Sequence, residues 1–197
     1  PMLGRQAKVL SQGALARVLA RVREHTFADR DRVMVLLSVQ AGLRAAEIAG
    51  LTWSMVLNDR GRVGDIIAIH TSIAKKGSGR RVPIHPELRT ALIALGRGAL
   101  RSDLLPDRPI IVSARGGPMR ANSIVNWFVA LYAELGLEGC SSHSGRRTFI
   151  TNAARQAHRA GASLRDVQLL AGHRSIETTQ AYIDGDTAAQ RKLVGLI

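Results

Sequence analysis

Leu169-Leu170-Ala171-Gly172-His173-Arg174-Ser175-Ile176-Glu177-Thr178-Thr179-Gln180-Ala181-Tyr182 holds two helix boundaries and two reactive side chains. Helical spacing over residues 164–170 runs into Ala171-Gly172, and glycine readily takes the left-handed conformation that closes a helix. His173 therefore stands at a helix break. Ser175 is placed to cap the next helix, with Glu177 in its first turn. Tyr182 follows His173 by nine residues, across a short polar helix. Alone, the stretch reads as a capping histidine and a partly buried tyrosine. The other tyrosine, Tyr132, has Trp127, Phe128 and Leu131 beside it at helical spacing and reads as core. Tyr182 lacks such surroundings.

Three more features lie upstream. Ser142-His143-Ser144-Gly145-Arg146-Arg147-Thr148-Phe149 puts His143 and Arg146 three apart at a helix start. Both can project from one face there, where the backbone itself attracts phosphate. Lys75-Lys76-Gly77-Ser78-Gly79 is a hairpin tip between strands at 66–73 and 80–84, and a lysine there can reach into a groove from outside. Ala41-Gly42-Leu43-Arg44-Ala45-Ala46-Glu47 ends a helix at Gly42 and sets Arg44 on the turn into the next. Taken singly, these are exposed helix-start charges, a solvated turn that blunts a sheet edge and a surface arginine.

The remainder is scaffold. Apolar periodicity predicts helices over 11–24, 29–41, 45–50, 87–95, 122–135, 144–160 and 186–194. Ser141, Ser142 or Ser144 is expected to cap the helix at 144. The fold class is α+β, mainly α-helical, with one small antiparallel β-sheet. At 197 residues, without repeats or an interdomain linker, the chain reads as one domain.

Composition narrows the function. Twenty-eight Lys and Arg against 15 Asp and Glu give +13, and 24 of the basic residues are arginine. Such an excess predicts a polyanionic partner, since neutralising phosphates releases counterions. Aromatics at 4% argue against a base-stacking single-strand platform. The single cysteine, Cys140, excludes an internal disulfide framework and a cysteine-based zinc site. The densest apolar run, 33–39, is far short of the ~18 residues that span a bilayer. Residues 1–10 lack the apolar region of a signal peptide, so a cytoplasmic protein is the default.

In this order, and over nearly the whole chain, the four features resemble the catalytic domain of the tyrosine recombinases, or phage integrase family. The matching text is Gly42-Leu43-Arg44 with Glu47, the lysine hairpin running into Arg80-Arg81-Val82-Pro83-Ile84, His143-x-x-Arg146, and Leu170-Ala171-Gly172-His173 through Thr178-Thr179-Gln180-Ala181-Tyr182. The resemblance implies the tyrosine recombinase catalytic-domain fold. It also implies site-specific DNA recombination, with strands cleaved and rejoined through a covalent 3′-phosphotyrosyl intermediate. It assigns Arg44 and Arg146 to a clamp on the scissile phosphate, with His143 and His173 in the same cluster and Glu47 supporting it. Tyr182 is the nucleophile. A hairpin lysine protonates the leaving hydroxyl; counting back from Arg80 selects Lys75, and Lys76 takes its place if the tip is one residue shorter.

The chemistry suits these residue types. Guanidinium forks match the charge that builds on the non-bridging oxygens. A phenol of pKa about 10 becomes a usable nucleophile beside cationic donors. No cofactor and no metal are expected, because the arginines supply the positive charge. The implied partners are double-stranded DNA, further copies forming a dimer or tetramer on DNA, and accessory DNA-bending proteins, with no membrane. The implied location is the bacterial nucleoid. The segment 186–197, with apolar Leu193, Val194, Leu196 and Ile197, would dock on a neighbouring subunit.

Two departures from the family pattern stand out. Gly145 occupies a position usually held by Leu or Ile, which predicts a lost packing contact and a looser helix start. The family's preceding core-binding domain has no counterpart within 1–197, so the chain reads as catalytic domain throughout. Type IB topoisomerase-like DNA relaxation and a catalytically inactive DNA-binding regulator are the rival readings. A metal-dependent nuclease would need clustered carboxylates, and the closest aspartate pairs, Asp29/Asp31 and Asp184/Asp186, lie outside the motifs.

Overall fold

The computed structural model describes residues 7–74, 77–98, 106–182 and 194–195. The helices among them are α1 Gln12–Val22, α2 Ala28–Gln40, α3 Ala45–Gly50, α4 Pro86–Gly98, α5 Ala121–Glu134, α6 Ser144–Gln156, α7 Leu164–Ala171 and α8 Ile176–Gln180. Strands β1 Ile66–Ile69 and β2 Arg80–Pro83 pair antiparallel, Ile67 opposite Val82 and Ile69 opposite Arg80. This is the α+β, mainly helical class read from the sequence. No helix among the described residues is long and apolar enough to cross a membrane.

Helix α2 is the axis of the molecule. Every residue from Val33 to Val39 is buried, as expected of a helix that is apolar all round. It packs on α4 and on α6, while α3 packs on α5 and α7 on α8. The main core gathers residues of α1 to α5 and both strands, including Met34, Leu36, Ile67, Val82, Leu92 and Phe128. A separate small core forms from Ile150, Val167 and Ala171, with Phe149, Leu164 and Tyr182 at its edge.

The local expectations hold with four differences. Ser11 caps α1, its Oγ accepting the Ala14 N–H at 3.1 Å. Strand β1, however, stops at Ile69 rather than 73. The amides of Ile73 and Ala74 both donate to the His70 carbonyl, reversing the chain and seating Ile73 on Gly50. The helix predicted over 144–160 ends at Gln156; a single 3-10 turn, His158–Ala160, follows and closes at Gly161 with φ 67°. No serine caps α6. His143 is its N-cap residue, while Ser141 Oγ accepts the His143 N–H and Ser144 Oγ accepts the Ser141 N–H, building the turn that precedes the helix. At Gly145 the expected looseness is absent. Helix α6 crosses α2 so closely that a Cβ there would collide with Ser38 Oγ and lie 2.8 Å from Ser38 Cβ. The predicted helix 186–194 lies outside the described residues, apart from Val194.

Candidate active site

Arg44, His143, Arg146, His173 and Tyr182 line one cleft of about 470 Å³, together with Ser141, Arg147 and Thr178. They come from four places in the chain: the N-cap of α3, the start of α6, the loop after α7 and the end of α8. Glu47 lies buried beneath them. Lys75 and Lys76 lie outside the described residues.

Arg146 is the floor of the cleft and only 4% exposed. Its Nη1 donates to the Gly42 carbonyl at 2.5 Å and its Nη2 to the Ala171 carbonyl at 2.7 Å. Nη2 also meets His173 Nε2 at 3.1 Å. Gly42 ends α2 with φ 64°, and any side chain there would collide with the Phe149 ring. Burial first, then the charges of Arg44 and Arg80, push Arg146 down to about 10. It stays charged at neutral pH, a cation held on backbone carbonyls that carry no formal charge.

The negative charge of the site belongs to Glu47. Its carboxylate accepts the Arg44 N–H at 2.9 Å, Arg44 Nη1 at 3.0 Å, Arg80 Nη1 at 2.8 Å and Arg80 Nη2 at 3.1 Å. Burial raises the Glu47 pKa, but hydrogen bonds and charge from Arg80, with the contacts from Arg44, outweigh it and leave the group below its ordinary value. Arg80 Nε also donates to the Leu170 carbonyl at 2.8 Å. One side chain on β2 thus ties α3 to the end of α7. Gly172, with φ 64°, leaves room for it; a Cβ there would lie 2.9 Å from Arg80 Cδ.

His173 is held through both ring nitrogens. Arginine only donates, so the contact with Arg146 makes Nε2 the acceptor. The proton then sits on Nδ1, which lies 2.9 Å from Thr179 Oγ1. Burial, followed by the charges of Arg146, Arg44 and Arg80, lowers the histidine to about 4, so it is neutral at pH 7. Its ring stacks on Tyr182 with centroids 5.5 Å apart and planes at 25°. The Arg147 guanidinium lies 5.5 Å from the Tyr182 ring centroid. His143 stands exposed at the rim.

The arrangement is an anion seat with a phenol at its wall. Arg44 and Arg146 supply fork donors in a partly dehydrated cleft, where their attraction for a phosphate is stronger than in water. Tyr132 has no part in it. It is 1% exposed, stacked on Phe128, and burial raises its pKa. The roles of Arg80 and Thr179 are not evident from the sequence alone. Arg80 had a readable signal: it shares the inward face of β2 with Val82, and an arginine there needs a buried carboxylate. Thr179 had none, because its contact depends on how tightly α8 turns.

Comparison with known proteins agrees with this geometry. The model of the phage integrase family matches residues 8–188. The chain is 33% identical over 166 residues to a tyrosine recombinase XerC of Brucella suis, covering 83% of this chain and 49% of that protein. A tyrosine recombinase XerC of Nitrobacter winogradskyi is 31% identical over 168 residues, 84% of this chain and 49% of that protein. The chain thus spans about half the length of these relatives. Among solved structures, the Tn1549 transposon integrase in complex with a circular intermediate DNA superposes with a TM-score of 0.76 at 17% identity, covering 99% of this chain and 67% of that one. The XerA recombinase gives 0.71 at 23% identity, covering 100% and 66%. These likenesses establish the tyrosine recombinase catalytic-domain fold. By its sequence and its fold, the chain belongs to the phage integrase family.

Proposed function

We propose that this protein is a tyrosine-type site-specific DNA recombinase, and that residues 1–197 act as its catalytic domain. One observation carries the reading: a single cleft sets a phenol, Tyr182, against a neutral histidine and two arginines held for an anion. Arg44 and Arg146 bind the non-bridging oxygens of the scissile phosphate, with His143 and His173 beside them. Tyr182 Oη loses its proton to solvent and attacks phosphorus, the bond to the 5′ oxygen breaks, and a 3′-phosphotyrosyl ester forms. A lysine of the Lys75-Lys76 pair protonates the departing oxygen. The ester conserves the energy of the broken strand, so a second end can be joined without ATP. Double-stranded DNA is the substrate, further copies assemble on it as a dimer or tetramer, and the bacterial nucleoid is the place of action. The +13 charge supports the DNA partner.

The test is covalent capture. The protein is mixed with a pool of duplexes of randomised sequence, each nicked so that the cleaved fragment diffuses away. The expected result is a protease-sensitive protein–DNA adduct that survives denaturing electrophoresis, and sequencing the captured DNA yields the site. Tyr182→Phe removes one oxygen and little volume, so it should abolish the adduct while DNA affinity stays within about twofold. An adduct from Tyr182→Phe would overturn the nucleophile; no adduct from the parent protein would favour the regulator reading.

A further inference from the structure

Thr179 is fully buried, and its hydroxyl reaches Nδ1 of His173 at 2.9 Å. It lies on α8, one short helix that also carries Tyr182 at its end. The same imidazole meets Arg146 through Nε2 and stacks on Tyr182. The Thr179 carbonyl also accepts the Tyr182 N–H at 3.1 Å, so the residue fixes the backbone of the nucleophile while its hydroxyl holds the ring that lies between the phenol and the phosphate seat.

We propose that Thr179 is a positioning residue that holds the His173 ring in place in either tautomer, accepting from Nδ1–H in the free protein and donating to a bare Nδ1 once a phosphate is bound. This rests on the recombinase reading of the cleft. In the free protein Arg146 donates to Nε2, so the neutral ring carries its proton on Nδ1, and Thr179 accepts it. A phosphate oxygen beside Nε2 offers only lone pairs. For the neutral ring to donate to it, Nε2 must gain a proton and Nδ1 must lose one, both exchanged with solvent, with the ring's charge unchanged. The bare Nδ1 then needs a donor. A hydroxyl serves in either state, because it carries one hydrogen and two lone pairs on a rotatable bond. A carboxylate there would only accept, and an ammonium would only donate. Threonine is thus the type of partner that permits the exchange without moving the ring off Tyr182.

The groups facing His173 are Arg146, Arg44 and Arg80, all cationic, and the Tyr182 phenol. In the free protein the three arginines disfavour a doubly protonated ring, and they still face it when an anion is bound.

The experiment compares the parent protein, Thr179→Ser and Thr179→Val, with histidine labelled in its ring nitrogens. Nitrogen NMR at pH 7 without DNA reads the tautomer, and His173→Gln identifies the signal. The parent should show the Nδ1–H form, and so should Thr179→Ser. In Thr179→Val, where Arg146 still donates to Nε2, the Nδ1–H form should remain, so a loss of rate there reports the hold on the ring and not a changed resting tautomer. On a duplex captured by the parent protein, the single-turnover rate of adduct formation should fall about tenfold in Thr179→Val and stay within about twofold in Thr179→Ser, with DNA affinity unchanged in both. Thr179→Val matching the parent in rate would overturn the proposal. So would an Nε2–H form in the free parent, a result that stands even if Thr179→Val fails to fold. If the parent forms no adduct on any duplex, the recombinase reading falls, and the tautomer measured without DNA still decides whether Thr179 accepts from Nδ1–H in the free protein.

Discussion

The histidine of the cleft is uncharged because it is partly buried and faces three arginines, and that has a consequence for stability. In the unfolded chain His173 titrates near the ordinary 6.5, whereas folding lowers it to about 4. Between these values the unfolded state binds more protons, so folding stability rises with pH. The contribution of His173 is complete above about 6.5 and is lost as the pH falls towards 4. Thermal melts at pH 7 and pH 5 should show a drop in the parent that is smaller in His173→Gln; equal drops would show that the ring is not held neutral. At this scale the sequence was informative where a residue's role follows from its type. Arg44, His143, Arg146, His173 and Tyr182 were all legible and meet in one cleft. Arg80 and Thr179 act through partners 33 and 6 residues away, and one needs strand phase and the other helix geometry to be seen.

Elements meet at two points where a single atom decides the fit. Helix α6 crosses α2 at Gly145, where the sequence suggested a missing contact and the structure shows no space for one. Gly145→Ala should destabilise the protein by about 1–3 kcal/mol, as overpacking does. Adding Ser38→Gly should recover part of that, since it removes both the Oγ and the Cβ that the new methyl meets. Urea denaturation of the two variants checks this; no loss in Gly145→Ala would mean that the helices separate freely. The second point is Arg80, whose guanidinium joins β2 to α3 and α7. Arg80→Met leaves the buried Glu47 carboxylate on Arg44 alone, and stripping one partner from a buried pair costs about 3–5 kcal/mol. Arg80→Lys should restore little, since an ammonium cannot hold two carboxylate oxygens and a carbonyl in one plane. Helix positions were legible because apolar period 3.6 survives in the sequence. The distance between two helices was not, because a glycine reads alike whether it marks a loose turn or a tight crossing.

Over the whole molecule the surplus of 13 positive charges sets the response to salt. If about six phosphates are neutralised, the logarithm of DNA affinity should fall with the logarithm of salt at a slope of about −5. Fluorescence anisotropy over a salt series measures it, and a flat line would remove the electrostatic basis of binding. The hydrophobic interior is divided unequally. The main core carries α1 to α5 and the sheet, whereas the wall bearing His173 and Tyr182 rests on Ile150, Val167 and Ala171. That wall is fastened to the rest by Leu170, which packs on the main core, and by two hydrogen bonds, Arg146 to the Ala171 carbonyl and Arg80 to the Leu170 carbonyl. Regions with few buried apolar contacts open before the molecule unfolds as a whole. Amide protons of α7 and α8 should therefore exchange with deuterium ahead of those in α2. The tyrosine would then be presented by a segment that opens at less cost than its support, and an anion bound at Arg146, which holds the Ala171 carbonyl, should slow the exchange of α7 and α8.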